Sequence, residues 1–183
     1  MLASRSPQRR AILRQLRIPF EVVEVDVDEL AVGEPVDVVR ANALAKARAA
    51  ALRHPEATVL GVDTVVVLDG DIFGKPVSAQ AARSTLKRLA GRTHEVVSGL
   101  ALLRPSNTQV VHEVTSVTFR ALDDAAIQAY VKTGEWCGRA GGYAIQGQGA
   151  ALVCRICGDY LNVVGLPVAK MLDLDLTLSF KQG

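Results

Sequence analysis

Residues 58–68 read TVLGVDTVVVL, and this run sets the class of fold. Five of its eleven residues are valine, whose branched side chain is stiff at χ1 and suits a pleated surface. The apolar residues do not alternate with polar ones. The run reads as a strongly apolar strand. Asp69-Gly70 then makes a turn, and 71–73 reads as a short return strand. Helical and strand patterns interleave along the chain, so helices accompany the sheet. The hairpin at Asp69-Gly70 requires a mixed sheet, not a purely parallel one.

Both flanks supply such helices. Upstream, Leu2 and Ala3 close a short first strand. Ser6 as N-cap and Pro7 at the first helical position start a helix to about Arg17. Residues 20–27 alternate like a strand, and a second helix follows Pro35 through the alanine-rich ANALAKARAAALRH to Pro55. Downstream, Ser78 caps a third helix that stops at Gly91. Residues 96–103 and 109–119 form a hairpin around Pro105-Ser106-Asn107. Asp123 or Asp124 caps a fourth helix to about Lys132. A glycine-rich loop, a strand over 150–156 and a helix after Pro167 complete the chain. No Pro/Gly/Ser linker divides it, so residues 1–183 form a single α/β domain.

Composition narrows the function classes. A hydrophobic content of 49% with 22% charged residues belongs to a folded domain, not a disordered one. A net charge of +2 and 4% aromatic residues disfavour a nucleic-acid-binding module. No apolar run is long enough to span a membrane, and MLASRSPQRR lacks the pattern of a secretory signal. Three cysteines fit a reducing cytoplasm. Cys154 and Cys157 spell C-x-x-C, but on a strand such residues lie about 10 Å apart on opposite faces, too far for a disulfide.

The informative residues are charges where the pattern calls for apolar groups. Asp63 interrupts residues 58–68, and an isolated carboxylate there is costly to desolvate. It is therefore paired, metal-bound or at the solvent end of the strand. Glu29 ends a run with three acidic residues in four and is a candidate second ligand. Two hard oxygen donors with substrate phosphates suit magnesium or manganese. Arg10, Arg14 and Arg17 form a solvated stripe on the first helix. Arg9 projects toward the core side, beside Ile12 and Leu13. With Ser4 and Ser6 it can make a phosphate cradle at the helix N-terminus; the alternative is a capping Ser6 with a snorkelling Arg9. Lys46 borders the apolar face of the second helix, and Lys75 sits in Phe73-Gly74-Lys75-Pro76. Together with Arg9 these lysines could neutralise a triphosphate.

The loop over 138–149 carries five glycines but lacks the Gly-Lys-Ser/Thr ending of a P-loop. It does not follow a strand as a dinucleotide fingerprint does. Gln146 within it has an amide that can pair with the carbonyl and imide N–H of uracil or thymine, or can simply stabilise the loop. His54, His94 and His112 show no metal or triad spacing, and His94 reads as structural.

These pieces together resemble the Maf family of nucleoside triphosphate pyrophosphatases, also called septum-formation-inhibitor proteins. The similarity runs through LASRSPQRR, Leu60-Gly61-Val62-Asp63-Thr64, Gly74-Lys75-Pro76 and Leu89-Ala90-Gly91-Arg92-Thr93-His94. It continues through Val117-Thr118-Phe119-Arg120, Gly134-Glu135, AGGYAIQGQGA, Gly158-Asp159-Tyr160 and Val164-Gly165-Leu166-Pro167. The resemblance implies a fold like that of ITP pyrophosphatases: one elongated α/β domain whose curved mixed sheet, flanked by helices, holds a central cleft. It implies Asp63 as general base or metal ligand and Glu29 as metal ligand for Mg2+ or Mn2+. It implies Arg9, Lys46 and Lys75 on the phosphates, and Gln8, Thr64 and Gln146 at the base. Thr64 after the aspartate, with Gln146, is the pattern of the branch acting on dTTP and UTP. A sister branch with Gln after the aspartate prefers modified guanine nucleotides. Gln8 departs from the pair of arginines often found after Ser-Pro.

The expected reaction is metal-assisted hydrolysis of a nucleoside triphosphate to monophosphate and pyrophosphate, a cytoplasmic house-cleaning of the nucleotide pool. The alternative is a non-catalytic nucleotide sensor that regulates cell division. Oligomeric state stays open, with a homodimer among the options.

Overall fold

The computed structural model describes residues 1–175. A six-stranded sheet carries the helices. Its strands are β1 (Leu2–Ala3), β2 (Val59–Leu68), β3 (Asp71–Phe73), β4 (Thr93–Arg104), β5 (Asn107–Phe119) and β6 (Val153–Cys157). The order is β1-β2-β4-β5-β6, with β3 also on β2. Only β1 runs parallel to its neighbour, so the sheet is mixed as expected. The helices are α1 (Pro7–Gln15), α2 (Pro35–Ala51), α3 (Ala79–Leu89), α4 (Asp124–Lys132), α5 (Tyr160–Val164) and α6 (Val168–Leu174).

The pairing of β2 positions everything that follows. One edge is bonded to β4 continuously from Val59 to Val67. The other edge is shared. β1 pairs with Leu60 and Gly61, and β3 pairs with Val66 to Leu68. Between them, Val62 to Val65 have no strand partner on that side. A backbone carbonyl left in such a gap needs another donor. Asp63 and Thr64 lie in this gap.

Helix α2 lies directly on β2 and β4 because two facing positions are glycine. A Cβ on Gly61 would stand 2.1 Å from the Ala43 carbonyl oxygen, and one on Gly99 would stand 2.2 Å from that of Val39. Only hydrogen fits at either place. The helix meets the sheet through Val39, Ala43, Ala47 and Ala50, all fully buried. Asn42 and Lys46, four residues apart, share the face turned to Asp63.

Several expectations are corrected. Residues 20–27 are not a strand: a single bridge joins Val22 to Leu2. Because β1 is only two residues long, it offers no ladder on which 20–27 could pair. β6 starts at Val153, after a 3-10 turn over Gln148–Leu152. α5 was not anticipated; Asp159 caps it, its Oδ1 accepting from the Leu161 N–H at 2.7 Å. The expected last helix is α6, and residues 176–183 lie outside the described ones.

The second half of the core is built on an edge-to-face trio of His94, Phe119 and Tyr143, with ring centroids 4.9 to 5.5 Å apart. His94 Nε2 and the Tyr143 hydroxyl share a 2.9 Å hydrogen bond, whereas His94 Nδ1 is buried without a partner. Burial pushes the imidazole pKa down to about 4. The folded state thus holds His94 neutral, while an unfolded chain protonates it below about pH 6.5. Its contribution is complete above that pH and is lost as pH falls toward 4, by about 3 kcal/mol in total. Urea unfolding between pH 7 and 4.5 should show this loss in the parent protein. The same series for His94→Gln should be flatter by that amount.

Candidate active site

Asp63 is 6% exposed and ringed by donors. Its Oδ1 accepts from the Lys46 ammonium at 2.7 Å, and its Oδ2 accepts from the Asn42 amide at 3.0 Å. Burial by itself would raise the Asp63 pKa. The Lys46 charge and hydrogen bond, then Asn42 and Arg9, outweigh burial and hold the carboxyl below its ordinary value. Asp63 is an anion at neutral pH.

Lys46 also reaches Glu29, with Nζ 2.9 Å from Oε1. One ammonium therefore bridges both acidic groups. The Glu29 side chain is 48% exposed and that of Lys46 only 11%. Asn42 holds this arrangement from behind. Its Oδ1 accepts from the Leu30 N–H at 2.8 Å, and its amide donates to the Leu30 carbonyl at 3.0 Å as well as to Asp63. The loop that carries Glu29 is thus tied to the carboxylate on β2. Lys46, expected among the groups facing the phosphates, lines a hollow beside Glu29 and bonds both carboxylates in this structure.

Arg9 fills the gap on the β2 edge. Its Nη1 donates to the Val62 carbonyl at 3.0 Å and to Ser4 Oγ at 3.0 Å. Nη2 donates to Thr64 Oγ1 at 3.1 Å, and Nε donates to the Gly165 carbonyl at 2.8 Å. Four of its five N–H groups are thereby taken by protein acceptors. Burial pushes its pKa down to about 10, opposed by Asp63 and then Glu29, so it stays charged at neutral pH. The α1 start is as expected: Ser6 Oγ accepts from the Arg9 backbone N–H at 3.5 Å, and Pro7 takes the first position.

Two hollows open on this cluster. The larger, about 520 Å³, is lined by Gln8, Thr64, Arg139, Tyr143 and Gln146 among others. The smaller, about 160 Å³, is lined by Ser4, Glu29 and Lys46 among others. Arg5, Ser6, Arg9 and Lys75 line both and mark their junction. Asp63 lines neither, but Lys46, which bonds it at 2.7 Å, lines the smaller one. Nine of the ten expected site residues therefore fall on one connected region: Ser4, Ser6, Gln8, Arg9, Glu29, Lys46, Thr64, Lys75 and Gln146; the tenth, Asp63, is bonded to Lys46 beside it.

Other residues of the region were not anticipated. Asn42 carried a usable signal: a polar residue one helical turn before Lys46 in an alanine-rich helix. Arg5, between Ser4 and Ser6, points its guanidinium toward Glu24 at 3.9 Å and Asp26 at 3.6 Å. Ser98 shares a 2.8 Å hydrogen bond with the Thr64 hydroxyl and is fully buried. Its only sequence signal was a lone polar residue in an apolar strand.

A family model described as Maf-like protein matches residues 1–175. The chain belongs to the Maf family. Within the Maf family, a Symbiobacterium thermophilum protein named dTTP/UTP pyrophosphatase is 49% identical over 176 residues, covering 95% of this chain and 91% of the relative. Proteins of the same name from Bacillus cytotoxicus and Clostridioides difficile are 46% and 42% identical, over 93% and 95% of this chain and 91% and 92% of theirs. Among solved structures, the Staphylococcus aureus Ham1 protein aligns at a TM-score of 0.46 and 20% identity, over 64% of this chain and 70% of that one.

Proposed function

We propose that this Maf protein hydrolyses dTTP and UTP to the nucleoside monophosphate and pyrophosphate. One observation carries the reading: a cleft lined by amide and hydroxyl side chains joins, through Arg5, Arg9 and Lys75, a hollow lined by Glu29 and Lys46, and Lys46 there bonds both Glu29 and the buried Asp63. A pyrimidine base needs paired donors and acceptors, which Gln146, Gln8 and Thr64 offer. A phosphate chain needs cations, which the junction supplies. The relatives named dTTP/UTP pyrophosphatase support the reaction and substrates of this reading.

The carboxylates fit a divalent cation. That a single ammonium bonds Glu29 and Asp63 means the two are spaced to share one positive centre. Among the described residues there is no group of three or more His, Cys, Asp or Glu side chains that could hold a metal. Two carboxylates plus substrate phosphates is a donor set that magnesium or manganese accepts. Glu29 and Asp63 would hold the ion, which offsets charge on the phosphates and on the pyrophosphate leaving group.

The remaining chemistry belongs to the chain. Asp63 orients a water and takes its proton at Oδ1. In the free protein Lys46 occupies that oxygen, so catalysis requires the ammonium to turn to the phosphate oxygens. The same movement makes Asp63 a stronger base: Lys46 is the leading influence lowering its pKa, and burial raises it. Lys75 and Arg5 stabilise charge as it passes to the leaving group.

Rates on a panel of dTTP, UTP, CTP and guanine nucleotides test the reading. The expected order places dTTP and UTP first, and chelation of divalent metal should abolish turnover. Binding without turnover in magnesium or manganese would favour a nucleotide sensor instead.

A further inference from the structure

We propose that Glu135 is a positioning residue for base selection, acting through Gln146; this rests on the reading of Gln146 given above. Gln146 lines the large cleft from an exposed loop, and its amide makes no hydrogen bond to another described residue. A glutamine that selects a base must be aimed by its backbone, because its own side chain is otherwise free to rotate. The turn that carries it is closed on one side by the Gly147 N–H donating to the Ala144 carbonyl at 3.1 Å. Its exit is held by Glu135. The Gln148 N–H donates to Glu135 Oε1 at 3.0 Å, and the Gly149 N–H donates to Oε2 at 3.2 Å.

Those two N–H groups open the 3-10 turn Gln148–Leu152, where they have no partner of their own. A carboxylate accepting both makes charge-assisted bonds that are stronger than neutral ones. The fit is close. A Cβ on Gly147 would come within 2.5 Å of Glu135 Oε1 and 2.7 Å of Oε2, so the carboxylate packs against bare backbone next to Gln146. Glu135 is itself anchored to α4. Its N–H donates to Thr133 Oγ1 at 3.1 Å, and the neighbouring Trp136 indole donates to the Val131 carbonyl at 3.1 Å. Gln146 is thereby referenced to a helix and not to a free loop.

Glu135→Gln keeps the size but replaces one acceptor with a donor facing an N–H. Gly147→Ala keeps the glutamate in the sequence but drives its carboxylate off the turn, and the φ of −110° and ψ of −145° at this position lie outside the main regions open to alanine. Preference for dTTP over dCTP, as a ratio of kcat/KM, should shrink about tenfold or more in both variants, the size of effect that loss of charge-assisted bonds gives. Affinity for dTMP should fall by a similar factor, while affinity for pyrophosphate stays unchanged. General damage to the fold would weaken both ligands alike. Gln146→Ala is the control. If it narrows base preference and neither loop variant does, the proposal is overturned while the reading of Gln146 stands. If Gln146→Ala leaves base preference intact, that reading and the proposal fall together. Equal losses of dTMP and pyrophosphate binding in both loop variants would likewise overturn the proposal.

Discussion

Asp63→Asn should lower kcat by about 10²–10⁴-fold, the range for removing a positioned general base, and the protein should remain folded. The asparagine keeps an oxygen for one of the donors that Asp63 now serves, Lys46 or Asn42, so the local packing survives. What it loses is the charge that draws Lys46 into the wall and the lone pair that would accept a proton. Steady-state kinetics on dTTP with a circular-dichroism check of folding measure this. A folded variant with turnover near that of the parent would remove Asp63 from the chemistry.

Arg9→Ala should act on stability as much as on catalysis. The substitution leaves the Val62 and Gly165 carbonyls without this donor and takes one bond from each of the Ser4 and Thr64 hydroxyls, which keep their bonds to the Ser6 N–H and to Ser98. Leaving a buried carbonyl unsatisfied costs about 1–3 kcal/mol, and two such carbonyls, about 2–6 kcal/mol together, lower Tm in a domain of this size by roughly 4–24 °C. kcat/KM should fall about 10- to 150-fold, the equivalent of about 1.5–3 kcal/mol of charge-assisted bonding. Arg9→Lys should recover little of either, because an ammonium cannot span four acceptors set for a planar fork. Thermal melts and kinetics on both variants give the two readouts. Full stability in Arg9→Ala would mean that the gap on β2 is closed by something else.

The contrast between Arg9 and Asp63 also explains what could be read in the sequence. Asp63 stood out because it breaks an apolar strand, a local signal, and the Ser6-Pro7 start of α1 is equally local. Arg9 was legible as an inward-facing cation. Its partners were not, since Gly165 lies 156 residues away and the open edge of β2 depends on where β1 and β3 stop. Residues 20–27 had the alternation of a strand but lacked a partner long enough to pair with, which no local pattern reveals. Lys46 was seen beside the apolar face of α2. Its place between two carboxylates follows from the close seating of α2 on Gly61 and Gly99, a three-dimensional fact.

Phosphorus NMR of dTTP turning over with the protein and magnesium tests the central claim most directly. The expected spectrum shows thymidine monophosphate and pyrophosphate rising in equal amounts, with the signals absent for Asp63→Asn on the same timescale. Release of orthophosphate with thymidine diphosphate, or undiminished turnover by Asp63→Asn, would contradict it.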